Sequence, residues 1–147
     1  MRAFAHETLI DRPPDQVFAF MMDFSRAPRW RSLVRKIEVI TPPPLSVGSQ
    51  LRITMDVMGK PREAISDIWA YDPPHRFGQR NTASRVTGTF EYRLERAGAG
   101  TRVRFTCDVR PHGIMWLLLP SLIRSSRYRY RDQLAVLKRE IESADVR

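Results

Sequence analysis

With one cysteine, Cys107, the sequence has no means of closing an intramolecular disulfide, and a lone thiolate cannot build a sulfur-ligated metal site. Histidine is almost as scarce. His6, His75 and His112 lie far apart, with neither helical nor hairpin metal spacing, so no metal is expected. There is no glycine-rich phosphate loop and no Gly-x-Ser-x-Gly turn, which sets aside P-loop nucleotide chemistry and nucleophile-elbow hydrolases. No cofactor is expected either. The longest apolar run, residues 114–119, stops at Pro120, far short of the ~20 residues that span a bilayer. The opening Met1-Arg2-Ala3-Phe4-Ala5-His6-Glu7 has an acid where a secretory leader keeps its apolar stretch. The expectation is an uncleaved, soluble, cytoplasmic protein.

Lysine is rare as well: only Lys36, Lys60 and Lys138, the other 22 of 25 basic residues being arginine. Against 16 acids this leaves a net charge of +9, a balance that suits nucleic acid, an anionic membrane surface or an acidic partner. The arginines are spread along the whole chain instead of forming a tail, which argues against nucleic acid. An acidic carrier protein or an anionic membrane surface remains as a macromolecular partner. What the sequence has in quantity is apolar residue, 42% of 147, enough for a real core in a chain of ordinary domain length. Residues 1–147 are read as a single domain.

Proline and glycine mark turns at Pro13-Pro14, Pro42-Pro43-Pro44, Gly59-Lys60-Pro61, Asp72-Pro73-Pro74, Gly98-Ala99-Gly100 and Pro111-His112-Gly113. Between them the apolar pattern has period two, the mark of half-buried strands, over 3–10, 34–41, 49–58, 62–71, 76–82, 85–95 and 101–110. The inward sets include Leu51, Ile53, Met55 and Val57, then Val86, Gly88, Phe90, Tyr92 and Leu94, then Val103, Phe105, Cys107 and Val109. Turns this short imply antiparallel neighbours. Pro13-Pro14 opens a short helix carrying Val17, Phe18, Phe20, Met21 and Phe24, and a second helical turn over 26–32 carries Trp30.

After residue 113 the period becomes helical. Stepping roughly 100° per residue from Leu134, Ile123, Leu137 and Ile141 fall within about 60° of it. Pro120 is expected to kink or divide this segment, leaving a longer helix over about 121–143. A strand, two short helices, six strands and a long helix make an α+β architecture.

Several phrases resemble those of a known family. Ile10-Asp11-Arg12-Pro13-Pro14-Asp15-Gln16-Val17-Phe18 resembles the opening of the SRPBCC or START-like superfamily, the helix-grip fold of birch-pollen-allergen type. Asp23-Phe24-Ser25-Arg26-Ala27-Pro28-Arg29-Trp30 is similar to its second phrase, a short helix ending in tryptophan. Tyr71-Asp72-Pro73-Pro74-His75-Arg76-Phe77 looks like a frequent strand-to-strand turn. Gly100-Thr101-Arg102-Val103 and Leu134-Ala135-Val136-Leu137-Lys138 complete the pattern. The resemblance covers about residues 3–142 and is nearest the polyketide cyclase/dehydrase and lipid transport branch. It implies a curved antiparallel sheet of about seven strands around a long C-terminal helix, with two short helices after the first strand.

A curved sheet gripping one helix leaves an interior that side chains need not fill, and such folds hold apolar ligands there. The expected pocket is large enough for a drug-sized ligand and bounded by Trp30, Ile53, Ile68, Phe90 and Tyr130. An interior filled by Met55, Phe90, Tyr92 and Phe105, with no such void, would make the ligand-carrier and cyclase readings fail together. Parity turns His6 inward with Ile10, and Gln79 and Asn81 inward with Phe77; Ala64, Ser66, Ile68 and Ala70 are a small-residue inner set. Arg127 and Tyr130 fall inside the helix's apolar stripe, at roughly 20° and −40° on the same wheel. Arg127 either meets a polar or anionic part of a ligand, or snorkels to the surface or pairs with Asp56 or Asp67. His6 is a candidate acid or base or a hydrogen-bonded core histidine; Trp30 stacks on a ligand or seals the helices onto the sheet. In aromatase/cyclases the resemblance implies an inward arginine on the strand matching 62–71, where this chain has Ile68.

Two functions in the cavity are consistent with these residues, and a third lies outside it: an adaptor whose basic surface docks an acidic carrier protein or an anionic membrane. One is binding of a small hydrophobic or aromatic ligand, lipid- or polyketide-like, between sheet and C-terminal helix, through His6, Trp30, Ile68, Gln79, Asn81, Arg127 and Tyr130. The other is a polyketide cyclase or dehydratase in the same cavity, with His6 and Tyr130 as acid/base groups and Arg127 stabilising an enolate.

Overall fold

The computed structural model describes residues 2–82 and 86–144, with the side chains of residues 2 and 3 left aside. Seven strands form one antiparallel sheet: β1 (Arg2–Ile10), β2 (Val34–Val39), β3 (Gln50–Val57), β4 (Lys60–Asp72), β5 (Arg76–Thr82), β6 (Val86–Ala97) and β7 (Gly100–Pro111). Residue 85, expected as the first of β6, lies outside the described residues. The spatial order is β1-β7-β6-β5-β4-β3-β2. Five of the six pairings join sequence neighbours, four of them across two or three residues and β2–β3 across residues 40–49; the sixth returns β7 to β1. β1 and β2 therefore sit at opposite edges. The connection between them, α1 (Pro14–Met22), a 3-10 turn and α2 (Ala27–Trp30), has to cross from one edge to the other.

Each strand buries one face, so parity decides the core. Phe4 and Ile10, Leu51 and Ile53, Ser66, Ile68 and Ala70, Phe90, Tyr92 and Leu94, and Val103, Phe105, Cys107 and Val109 are all buried, as the alternation predicts. Val57, counted inward from sequence, is exposed at the end of β3, where the sheet has no cover. Curvature comes from register breaks at Arg2/Phe4, Val34/Lys36 and Ile68/Ala70, each of which bends its strand. At the last break, Trp69 turns out and lies over β5, donating its indole N–H to the Phe90 carbonyl at 3.2 Å. Gly78 leaves it the space: a Cβ there would come within 2.6 Å of the indole.

The long C-terminal helix is present in two segments, α3 (Leu119–Tyr130) and α4 (Gln133–Ser143). Pro120 does divide the segment, with a 3-10 stretch (Gly113–Leu118) before it and α3 after it, where its missing N–H does no harm. The second interruption, at Arg131–Asp132, has no proline or glycine behind it and was not expected from the sequence. It falls where Gln133 turns into the interior. α4 buries Leu134, Leu137 and Ile141. Its C-terminal end is tied to β1 and the following turn: Lys138 donates to the Leu9 carbonyl (2.7 Å), Asp11 N–H to the Glu142 carboxylate (2.8 Å) and Arg12 to the Glu142 carbonyl (2.9 Å). No residue of α3 is fully buried. No helix among the described residues is long and apolar enough to cross a membrane.

Candidate functional site

Between the inner sheet face and the junction of α3 and α4 lies a pocket lined by Arg31, Ser32, Val34, Ile53, Met55, Asn81, Phe90, Tyr92, Phe105, Tyr130 and Gln133. Its void is about 10 Å³, room for roughly one water. The drug-sized pocket expected from the sequence is therefore absent among the described residues. Aromatic rings fill it. Phe90 and Phe105 stack at 5.9 Å and 4°, Tyr92 and Phe105 at 4.7 Å and 23°, and Tyr130 meets Phe90 edge-on at 5.5 Å. A larger hollow of about 660 Å³ lies among Glu7, Glu91, Arg93, Glu95, Arg102 and Arg104 on the outer face of the sheet. Charges of both signs alternate there, as on a solvated strand surface.

The chemistry of the inner pocket centres on Arg31. It follows Trp30 at the end of α2, in extended conformation, and is only 9% exposed. Two residues on, Leu33 has φ of +64°, a conformation that L-residues with a branched side chain rarely adopt. That turn is held by the Asp56 N–H bonding the Leu33 carbonyl (2.8 Å) and by Ser32 N–H donating to Gln133 Oε1 (2.8 Å). Among the described residues no carboxylate lies within ion-pair distance of Arg31. Its Nη2 donates instead to Gln79 Oε1 at 2.9 Å, and Gln79 Nε2 donates on to Asn81 Oδ1 at 3.2 Å. Gln133 Nε2 donates to the Tyr92 hydroxyl at 2.6 Å. A buried guanidinium met only by neutral acceptors is expensive to keep, and a strained turn holds it there.

Burial pushes the Tyr92 phenol above its ordinary 10, only partly offset by the charge of Arg31. Burial also pushes Tyr130 up to about 12 and the Cys107 thiol up to about 12. All three stay neutral at physiological pH, so none is a base; the Tyr92 hydroxyl accepts from Gln133 and the Cys107 thiol donates weakly to the Asp108 carbonyl. The lining residues include no histidine and no carboxylate. The site can grip and polarise an oxygen, but it has no group poised to take a proton near neutrality.

The residues singled out from sequence are dispersed. Asn81 and Tyr130 line the pocket, and Gln79 stands one step behind, on Arg31. Ile68 is buried in the core outside the lining. Trp30 packs edge-on against Tyr92 at 5.8 Å, 3% exposed, with its indole N–H buried and unpartnered. His6 faces inward on β1, its ring 4.9 Å from Phe4 and its Nε2 buried without a partner, but it does not reach the pocket.

Arg127 is the correction of most consequence: it is exposed. The wheel carried its phase through the break at Arg131–Asp132, whereas the inner side of α3 is Leu119, Leu122, Ile123, Ser126 and Tyr130, which puts Arg127 roughly a quarter-turn beyond it. Of the acids considered for it, Asp56 is engaged by Arg35 and Asp67 by Gln50. Arg31 is the arginine that sequence reasoning missed. Its signal was the spacing of Ala27, Trp30 and Arg31, i, i+3 and i+4, which continues the buried side of α2.

A family model described as polyketide cyclase/dehydrase and lipid transport matches residues 1–142. No curated protein matches in sequence. Solved structures share the fold at low identity. The Zhui aromatase/cyclase from a Streptomyces species is 19% identical, with a TM-score of 0.70 over 94% of this chain and 89% of that one. A START superfamily protein from Mycobacterium smegmatis is 13% identical, with a TM-score of 0.75 over 95% and 96%. Ara h 8.0201 is 17% identical, with a TM-score of 0.69 over 96% and 97%.

Proposed function

This chain belongs to the polyketide cyclase/dehydrase and lipid transport family, and from that premise we propose that it is a single-domain binder of a small hydrophobic or aromatic ligand bearing an anionic or carbonyl oxygen. The observation that carries this reading is Arg31: a buried guanidinium with no carboxylate, set among Phe90, Tyr92, Phe105 and Tyr130. Aromatic walls give area, and one fixed cation gives orientation. The filled interior counts against both ligand readings as the sequence framed them, with a preformed cavity, and the binding proposed here requires a cavity that opens. A ligand gains room only where the lining yields, and the part of the lining with the least buried support is Tyr130 on α3. Tyr130 is the residue whose ring would be replaced by that of the ligand.

The second reading, a cyclase or dehydratase, is favoured by the same arginine, which would stabilise an enolate of a poly-β-keto chain. The lack of a proton-accepting group in the lining places it behind simple binding. Fluorescence titration with 1-anilinonaphthalene-8-sulfonate, an aromatic anion, tests the first reading. Saturable binding that exceeds that of the uncharged N-phenyl-1-naphthylamine by about tenfold, the scale of one charge-assisted hydrogen bond, is expected. Equal binding of the two probes would show that Arg31 does not meet the ligand's charge. Turnover of a poly-β-keto thioester would promote the second reading over the first.

A further inference from the structure

Between Asp108 and Asp132 the chain has no acidic residue, yet it has five arginines: Arg110, Arg124, Arg127, Arg129 and Arg131. The same stretch holds the densest group of water-exposed apolar side chains. In the 3-10 turn Gly113–Leu118, Ile114 and Leu117 are 79% exposed, and Trp116 and Leu118 50%. Isolated exposed apolar residues are ordinary on a protein surface, but four within five consecutive residues are not. On the adjoining α3, Arg124, Arg127, Tyr128 and Arg131 follow at i, i+3, i+4 and i+7, all exposed, forming one outward side. The Arg131 guanidinium sits 4.6 Å above the Tyr128 ring and 3.3 Å from the Asp132 carboxylate.

We propose that this segment, residues 113–131, docks the protein on an anionic phospholipid bilayer. Ile114, Trp116, Leu117 and Leu118 enter the boundary between headgroups and acyl chains, and Arg124 and Arg131 engage lipid phosphates. An apolar projection followed by a basic helical side matches a surface that is apolar within and anionic at its rim. Tryptophan at the junction suits it, with an apolar ring and an N–H that stays wet. Arginine, the basic residue used throughout the segment, pairs with phosphate in a bidentate manner. An acidic protein partner would meet the arginines but leave the four projecting apolar side chains without a fluid medium to enter. The docking rests on this surface and not on the pocket, so it stands or falls apart from the ligand.

The test is co-sedimentation of the full chain with vesicles of phosphatidylcholine containing phosphatidylglycerol, and with pure phosphatidylcholine. Binding to the anionic vesicles is expected, about tenfold or more weaker on neutral ones and at high salt, because the steering charges are screened. Leu117→Glu with Leu118→Glu, and separately Arg124→Glu with Arg131→Glu, should each reduce binding about tenfold or more with the melting temperature unchanged, since these side chains are exposed. Quenching of tryptophan fluorescence by brominated lipid, present in the unaltered protein and lost in Trp116→Phe, which keeps Trp30 and Trp69, is an independent readout. Equal binding to neutral and anionic vesicles, undiminished binding by the Leu117/Leu118 pair, or binding only to an acidic carrier protein would overturn the proposal.

Discussion

Arg31→Met is expected to weaken binding of the anionic naphthalene probe by about 1.5–3 kcal/mol, roughly 10- to 150-fold, the range for a hydrogen bond to a charged group. Binding of the uncharged analogue should barely change, because methionine keeps the apolar stem and loses only the guanidinium. Stability should not fall. Removing the arginine strands the Gln79 Oε1 acceptor, at a cost of about 1–3 kcal/mol. It also ends the desolvation of a charge that no carboxylate offsets, which is worth at least as much. Thermal melts beside the two titrations separate the roles. A melting point that drops together with the affinity for both probes would make Arg31 a packing residue, and the binding site would lose its centre.

Phe105→Ala should produce the largest loss of stability. Phe105 is 0% exposed, and its ring meets those of Phe4, Phe90, Tyr92 and Tyr130 at 5.7, 5.9, 4.7 and 5.9 Å. Deleting a buried phenyl costs about 3–5 kcal/mol, of which part is the cavity left behind. In a chain of this size that corresponds to a melting point lower by roughly 6–20 °C. The new cavity joins the pocket that now holds about one water, and its walls are mostly aromatic and aliphatic. Benzene should therefore restore part of the lost melting temperature in the variant and none in the parent. A loss below about 1 kcal/mol would show that Phe90 and Tyr130 close over the gap, and the pocket would then be softer than its stacking geometry suggests.

The strands were legible because each buries a single face, so alternation alone assigned Phe90, Tyr92, Phe105 and Cys107 to the interior. The amides Gln79 and Asn81 came with them, since parity is blind to polarity. Arg31 was not legible by that route. Its side chain is placed by the end of a one-turn helix and by a left-handed Leu33, both set by tertiary hydrogen bonds. Arg127 was misplaced because a helical wheel assumes an unbroken helix, whereas the helix breaks at Arg131–Asp132, just before Gln133 bonds Tyr92, a partner 41 residues away. The pocket's volume was beyond parity altogether. Which face a ring occupies is a local property; whether four rings close on each other depends on the curvature of the whole sheet.

The interruption at Arg131–Asp132 also divides the C-terminal helix into parts of unequal durability. α4 is held by three buried apolar side chains and by bonds from Lys138, Asp11 and Arg12. α3, with no fully buried residue and no side-chain cap, is held through the partly buried Leu122, Ile123 and Tyr130, and is the easier of the two to open locally. Amide protons of α3 should exchange orders of magnitude faster than those of α4, which should open only with the sheet. If the proposed ligand enters past Tyr130, its admission would draw on a sub-global equilibrium, and the observed affinity would be the intrinsic one scaled by the fraction of molecules with α3 detached. A substitution that loosens α3 while leaving the pocket untouched would make the protein a tighter binder, not a weaker one.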